Sequence, residues 1–463
     1  MIRFKRILLI NPPKTHQGGY ITSPLGILYL ASYLRQFKQI KVDVINGTIE
    51  GESAVREKLK TFRPNLVGIS SLTPGRHEAL KVATIAKKVN SKCKTVLGGI
   101  HPSLMWKQIM ENYPQVDYIV RGEGELTLTD LVMGKKLSSI KGLVWRKINN
   151  QIVPNPEQEF IKDLDSIPFP AWDLINPLIY PPRGEGIYNG IDLAKQPRFS
   201  IIFSRGCMAC CTFCSSWIVW KGYRYRTGKN VADEIEMLVK NYNAKHFAFY
   251  DDTLTGNRKE VITFCKEIIK RKLKLAFHGT TRVDRVDEKL LCWMKKAGFY
   301  EISYGIESGS PAMLLKINKK IDLDKIFLAA KLTKKVKIRF CALMMYGLPR
   351  ETQQDRLLSE KLLKKLKPDV IGTVGSIWIF PGTPLYIQAK HAKLIKDSFW
   401  LGRKPYYIYR GGLGGDPINW KLRIKDEITL SLANTFFEKP LNTFNARLER
   451  LMKKLKSAIT NNN

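Results

Sequence analysis

Several things are scarce in this sequence, and each scarcity excludes something. No stretch approaches the eighteen or so uninterrupted apolar residues that a membrane-spanning helix needs. The opening MIRFKRILLINPP has basic residues before an apolar run, but ILLI is stopped at once by Asn-Pro-Pro. That run is too short for a secretory leader, so a cytoplasmic protein is expected. Acid is also short: 41 Asp and Glu stand against 77 Lys and Arg, a formal net charge of +36. Such a charge raises the question of nucleic acid. The excess is shared by every part of the chain, however, and not gathered in one stripe, which argues against a nucleic-acid partner. It leaves a lysine-rich solvated surface, or attraction to an acidic electron-transfer protein, an anionic substrate or an anionic membrane surface. No low-complexity segment and no short-period repeat is present.

The eight cysteines do not space out as a disulfide framework would. Four of them, Cys207, Cys210, Cys211 and Cys214, fall within SRGCMACCTFCSSW. As a structural zinc site this cluster needs a second pair of thiolates or histidines. None is near, since Cys265, Cys292 and Cys341 sit singly in apolar segments, where a cysteine packs as a small hydrophobe. The remaining reading takes Cys207, Cys211 and Cys214 as ligands of one iron-sulfur cluster, with Cys210 a bystander. Three thiolates on a four-iron cluster leave one iron open to a substrate or cofactor.

Around the cysteines the chain alternates strand and helix. In the first half RILLINPP, VDVING, NLVGISS, KTVLGGI and VDYIVRGEGE read as strands with amphipathic stretches between them, an open parallel sheet wound on both faces. Ligands bind beyond the carboxyl ends of such strands. The span DSIPFPAWDLINPLIYPPRGEG is rich in Pro and Gly and reads as a crossing between domains. A second alternation follows in RFSIIFSRGC, AKHFAFYDDT, LKLAFHGTTRVD, YEISYGIESGS, IRFCALMMYGLP and IGTVGSIWIFPGTP. Six strand-helix units imply a curved sheet or partial barrel. After Leu385 the alternation gives way to aromatics, glycines and basic helical stretches.

Three cysteines at this spacing, with the aromatic Phe213 before the last and the strand RFSIIFSRG in front, resemble the radical S-adenosylmethionine superfamily. One departure is that Met208 and Ala209 stand where the family usually has proline and an aromatic. The resemblance implies a 4Fe-4S cluster on Cys207, Cys211 and Cys214. It implies S-adenosylmethionine held by Phe213 and by strand-end motifs, namely FYDDT (Asp251, Asp252), HGTTRVD (Arg282), YGIESGS (Glu307, Ser308), YGLP (Gly347) and IFPGTP (Pro381). Carboxylates suit an aminoacyl cation and a ribose diol, and arginine suits a carboxylate.

The first half, through INPP, SPLGILYLASYL, VGIS, GGIHPS and VRGEGE, resembles the cobalamin-binding domain that precedes the radical domain in one branch of that superfamily. The implied cradle is Thr73, Gly98, Gly99, His101, Gly122 and Glu123. Many cobalamin domains carry an Asp-x-His-x-x-Gly loop, and this sequence has none, so a loop-packing role is expected for His101 rather than ligation of cobalt. A nucleotide-binding unit would need a glycine fingerprint that is missing. A methylthiotransferase would bring three further N-terminal cysteines, and only Cys93 is there.

The expected organisation is therefore α/β throughout. A doubly wound cobalamin-binding domain occupies residues 1–140, a linker 141–194, a partial (β/α)6 radical core 195–385, and a mostly helical substrate region 386–463. The resemblance implies an enzyme that methylates an unactivated carbon, using a 5'-deoxyadenosyl radical and methylcobalamin. A ring-forming or rearranging reaction, as in anaerobic magnesium-porphyrin ester cyclases, is the alternative within the same branch. A non-enzymatic cobalamin sensor would leave the cysteines and strand-end motifs idle. Expected partners are a small-molecule or lipid substrate and an acidic electron donor such as flavodoxin or ferredoxin. In NTFNARLERLMKKLKSAI, Phe444, Leu448, Leu451 and Leu455 recur at helical spacing, which suits a helix packed on the body. It also suits one lying on an anionic membrane.

Overall fold

The computed structural model describes residues 2–13, 21–404 and 407–408. The helical pattern of 442–459 lies outside the described residues. In β1 (Arg6–Asn11) every residue from Ile7 to Ile10 is buried, the signature of a strand covered on both faces. It lies between β2 (Lys41–Asn46) and β3 (Leu66–Ser70). Beyond β3 follow β4 (Lys94–Gly98) and β5 (Tyr118–Val120), all parallel. Helices α1 (Leu25–Leu34), α2 (Gly47–Phe62), α3 (Arg76–Val89), α4 (Ile100–Asn112) and α5 (Glu125–Val132) connect and follow these strands. The order 2-1-3 reverses direction at β1, which places a crevice beyond the ends of β1 and β3.

The first sheet does not stop where the linker was expected. Two more strands, β6 (Leu143–Arg146) and β7 (Ile152–Pro154), add antiparallel to β5, so the sheet has seven strands and a mixed edge. The chain then crosses with little regular structure beyond a small hairpin of β8 (Ile187–Tyr188) and β9 (Ile191–Asp192). Trp172 pins the crossing down: it is buried, its ring lies 5.9 Å from that of Phe199, and its indole Nε1 donates to Glu234 at 3.2 Å.

The second sheet has six parallel strands in sequence order. They are β10 (Arg198–Ile201), β13 (His246–Phe249), β14 (Ala276–Thr281), β15 (Phe299–Glu307), β16 (Arg339–Tyr346) and β17 (Val370–Ser376). A short ribbon of β11 (Ser204–Arg205) and β12 (Arg224–Tyr225) follows β10 and encloses the cysteine loop and α6 (Ser216–Trp220). The helices α7 (Gly228–Tyr242), α8 (Arg258–Lys270), α9 (Glu288–Ala297), α10 (Pro311–Lys316), α11 (Leu323–Lys335) and α12 (Gln353–Leu366) run between strands. Phe247, Phe249, Phe264, Phe277 and Phe299 form a continuous ring cluster, with Phe249 stacked on Phe299 at 5.7 Å. This apolar layer between sheet and helices fixes the strands whose carboxyl ends carry the motifs.

Beyond β17 come β18 (Trp378–Ile379), α13 (Pro384–His391) and a short turn at Asp397–Leu401, and β19 (Tyr407–Ile408) pairs with β18. The strap 400–404 lies on the first domain. The buried guanidinium of Arg76 donates to the carbonyls of Trp400 at 2.8 Å, Gly402 at 2.6 Å and Lys404 at 2.6 Å. Among the described residues no helix is long and apolar enough to cross a membrane.

Candidate active site

The cysteine loop begins at a position that accepts only glycine. Gly206 has φ 86°, and a Cβ there would lie 1.8 Å from the carbonyl oxygen of Gly222. Beyond it the loop is pinned by backbone bonds. Thr212 N donates to Ile317 O at 3.0 Å, Leu385 N to Thr212 O at 3.0 Å, and Trp217 Nε1 to Cys211 O at 3.0 Å. Cys210 is exposed, and what it offers the fold is its carbonyl, which accepts from Asn318 Nδ2 at 2.9 Å. Cys207 Sγ faces Thr253 Oγ1 at 3.4 Å and accepts from Ala209 N at 3.4 Å, while Cys214 Sγ accepts from Ser216 N at 3.4 Å.

Burial pushes the Cys214 thiol up to about 12, the Ser216 amide opposing and the charges of Asp252, Cys211 and Cys207 adding to it. Burial likewise raises the Cys211 thiol, against the pull of Lys319 and Arg282. The three thiols therefore lie within one another's field, alongside two cations and the carboxylate of Asp252. Among the described residues no three His, Cys, Asp or Glu side chains close on a single metal ion. A cluster makes no such demand, because each thiolate bonds a separate iron.

The strand-end motifs divide into those that face the thiols and those that hold the scaffold. Asp252 lies beside Cys214 and accepts from the hydroxyl of Ser216. Asp251 turns the other way: its carboxylate accepts from Phe203 N at 3.1 Å and from the amide and hydroxyl of Ser204, fixing the turn before the loop. Arg282 is buried, with Nε and Nη2 on Asp284 at 2.8 and 3.1 Å and Nη2 also on Lys319 O at 2.9 Å. Its Nη1 is buried without a partner. Glu307, at φ 70°, accepts from Lys319 Nζ at 2.8 Å. Ser308 faces Ser359 at 3.3 Å and accepts from Ser310 N, so its hydroxyl is engaged in packing. Gly347 has φ 74° and donates its N–H to Glu351. Pro381 is buried, and Phe213 packs half-buried on the core.

In the first domain the loops after β3 and β4 are stitched together. Ser71 N donates to Gly98 O at 2.8 Å, and His101 N to Ser71 O at 3.3 Å. Gly99 has φ 103°, and a Cβ there would lie 2.7 Å from Ser71 O, whereas a Cβ on Gly98 would meet open space. His101 is buried, with Nδ1 3.3 Å from Thr73 Oγ1 and its ring edge-on to Trp400 at 6.3 Å. Burial, reinforced by Arg76 and His77, lowers its pKa to about 3, so the imidazole is neutral and packed under the strap. Gly122 has φ 74° and donates to Ser103 Oγ at 3.0 Å. Glu123 is turned toward the second domain, where Arg205 and Arg224 take its carboxylate.

A family model of the B12 binding domain matches residues 15–132, and one of the radical SAM superfamily matches residues 201–363. A protein of Pyrococcus horikoshii named as an uncharacterized methyltransferase is 32% identical over 411 residues, which cover 86% of each chain. The chain belongs to the cobalamin-binding radical S-adenosylmethionine enzymes. Another relative, the anaerobic magnesium-protoporphyrin IX monomethyl ester cyclase of Rubrivivax gelatinosus, is 34% identical over 383 residues; the match covers 79% of this chain and 66% of the cyclase. Two solved structures share the fold. The radical S-adenosylmethionine methyltransferase TsrM from Kitasatospora setae has a TM-score of 0.69 at 20% identity, covering 84% of this chain and 75% of its own. The cobalamin-dependent radical enzyme OxsB has a TM-score of 0.73 at 19% identity, covering 89% and 65%.

The cofactors of this cobalamin-binding radical enzyme are a 4Fe-4S cluster, S-adenosylmethionine and cobalamin, and the side chains present suit them. For the cluster there are three thiols in one field with amide donors on two of them. For an anionic end of S-adenosylmethionine there is the buried, unpartnered Nη1 of Arg282. For cobalamin, the crevice side of the first sheet offers a buried unpartnered hydroxyl on Ser71, the open face of Gly98 and the exposed apolar side chain of Leu72. Sequence reasoning passed over Lys319, Ser216 and Thr253. Each is a common residue type; the fold brings Lys319 and Thr253 to the thiols, whereas Ser216 lies only two residues beyond Cys214.

Proposed function

We propose that this enzyme methylates an unactivated carbon of a small molecule held at the junction of its two domains. The observation that carries the proposal is the union of a B12 binding domain and a radical SAM domain in one chain, matched over 86% of both chains by a Pyrococcus protein named as an uncharacterized methyltransferase. When bound, the cluster with S-adenosylmethionine supplies hydrogen abstraction and cobalamin supplies the methyl group. The work of the chain itself is placement. The N–H groups of Ala209 and Ser216 donate to the sulfurs of Cys207 and Cys214, which stabilises anionic thiolate. We assign Nη1 of Arg282 to a carboxylate of S-adenosylmethionine. Asp252 and Glu307 are the carboxylates available to its amino group or ribose, with Phe213, Gly347 and Pro381 as surface beside it. Thr73, Gly98, Gly99, His101 and Gly122 shape the loops of the cobalamin crevice, while Glu123 acts through the domain contact.

A ring-forming reaction is the second reading, favoured by the 34% identity to the Rubrivivax cyclase, although the chain spans only 66% of that relative. None of the eight cysteines is paired in a disulfide, which supports a reducing cytoplasmic setting. The charge of +36 supports an acidic electron donor of the flavodoxin or ferredoxin kind. The deciding experiment is anaerobic reconstitution with iron, sulfide and hydroxocobalamin, followed by S-adenosylmethionine and reductant. Formation of both 5'-deoxyadenosine and S-adenosylhomocysteine by protein carrying stoichiometric cobalamin is the expected result. Deoxyadenosine alone from cobalamin-loaded protein favours cyclisation.

A further inference from the structure

Glu123 and Glu125, from the RGEGE segment at the end of β5 and the start of α5, meet two arginines of the β11–β12 ribbon. Arg205 Nη1 donates to Glu123 at 2.9 Å and its Nη2 to Glu125 at 2.7 Å. Arg224 Nη1 reaches Glu123 at 2.8 Å and Ile161 O at 2.8 Å. Ile161 N adds a bond to Glu123 at 3.2 Å. All four charged side chains are between 4% and 14% exposed. Burial works against the charge on Arg205, yet Glu125 and Glu123 together hold its pKa above the ordinary arginine value. Aromatic rings close the sides, Tyr29 of α1 at 5.3 Å from Arg205 and Phe160 at 4.7 Å from Arg224. Just past the end of β12, Arg226 donates to Tyr29 Oη at 3.2 Å.

What makes this knot more than adhesion is its distance along the chain from the cluster ligands. Arg205 and Cys207 are separated by Gly206 alone, whose φ of 86° and nearness to Gly222 O leave no place for a side chain. On the other side Ser204 is held by Asp251, whose neighbour Asp252 sits beside Cys214. With a single residue between them, a shift of Arg205 displaces the start of the cysteine loop. Breaking a buried ion pair on one side leaves an uncompensated charge, whereas the intact pair adds little net stability, so such pairs serve register better than strength.

We propose that Glu123, Glu125, Arg205 and Arg224 are positioning residues that fix the cysteine loop in register on the cobalamin-binding domain. This rests on the reading that both cofactors work across the junction. The test compares unsubstituted protein with Glu123→Gln, Arg205→Lys and a remote core variant, Ile235→Val. In reconstituted protein, iron and cobalamin contents are measured first, then the microwave power saturation of the cob(II)alamin EPR signal with the cluster oxidised and reduced. Glu123→Gln should keep both contents and lose relaxation enhancement by the reduced cluster. Arg205→Lys, which reaches one carboxylate only, should lose part of it. Ile235→Val should lower the melting temperature and leave the enhancement intact. A second arm, calorimetry of the cofactor-free chain, should split one unfolding transition into two in Glu123→Gln. If Glu123→Gln behaves like Ile235→Val in both arms, the knot is only structural and the proposal is overturned. If the unsubstituted protein takes up no cobalamin, the two-cofactor reading falls. In that case a single transition in both Glu123→Gln and unsubstituted protein overturns the knot as well.

Discussion

Four cysteines in eight positions have unequal surroundings in the fold. Cys211 and Cys214 are drawn into low-dielectric surroundings where a thiol resists ionisation, and Cys207 lies beside Thr253. Cys210 points to solvent. Because iron binds thiolate, loading must displace protons from the buried thiols. Replacing Cys207, Cys211 or Cys214 singly by Ala should abolish the cluster's iron and its visible absorbance after anaerobic reconstitution. Cys210→Ala should retain both. Retention of a normal cluster by Cys207→Ala would overturn the ligand assignment. Glu123 carries the opposite lesson: a residue whose motif pointed to a cofactor cradle serves a contact between domains.

At the scale of the element, the strands of the second sheet carry polar groups inside as well as at their ends. His246 on β13 donates to or accepts from Tyr300 Oη at 3.0 Å, and His278 on β14 does the same with Ser303 Oγ at 3.0 Å. Burial, then the nearby Arg198, lowers both imidazoles to about 3. A free imidazole titrates near 6.5, so between about 3 and 6.5 the unfolded chain binds two protons that the folded chain does not. Stability from these groups is present above 6.5 and is lost as pH falls. Asp251 works in the other direction. Burial raises it to about 7, so the folded chain holds a proton that the unfolded chain releases above about 4, and stability falls as pH rises through that window. With His101, which burial lowers in the same way, three imidazoles stand against Asp251, and acidification below 6.5 brings a net loss. The expected slope from each imidazole is about 1.4 kcal/mol per pH unit. Urea unfolding of the cofactor-free chain at pH 5 and pH 7 should show the loss, and His278→Gln should reduce the slope by one proton. A slope unchanged by His278→Gln would mean that this imidazole is charged in the fold.

At the scale of the whole molecule, charge and register dominate. An excess of basic groups spread over the surface attracts an acidic donor at long range, and salt screens such attraction within about 10 Å at 0.1 M. Reduction of the cluster by flavodoxin should therefore slow steeply as salt rises from 0.05 to about 0.5 M, while reduction by dithionite, a small reagent, should depend on salt far less. Equal salt dependence with both reductants would remove the case for an acidic partner. The contacts between the two domains include the buried ion pairs of the β11–β12 ribbon and the strap of residues 400–404 held by Arg76. Both contacts lie beside loops that carry candidate site residues, so domain register and site geometry are one property.

The sequence by itself determined the alternation of strands, the two sheets and the three-cysteine spacing, because hydrophobic period and residue spacing are local and survive without knowledge of the fold. All six strands of the second half are where their apolar runs end in polar or Gly-rich turns. It did not reveal β6 and β7, whose short segments pair antiparallel with β5 and only become strands by adding to an existing edge. Nor did it tell Asp251 from Asp252, since adjacent residues leaving a strand point to opposite sides and only the packed turn at Ser204 decides which side faces the thiols. Lys319, Thr253 and Arg205 were invisible for the same reason. Their roles come from where tertiary structure sets a charge or a hydroxyl in a buried place, and burial is a property of the whole chain rather than of any stretch of it.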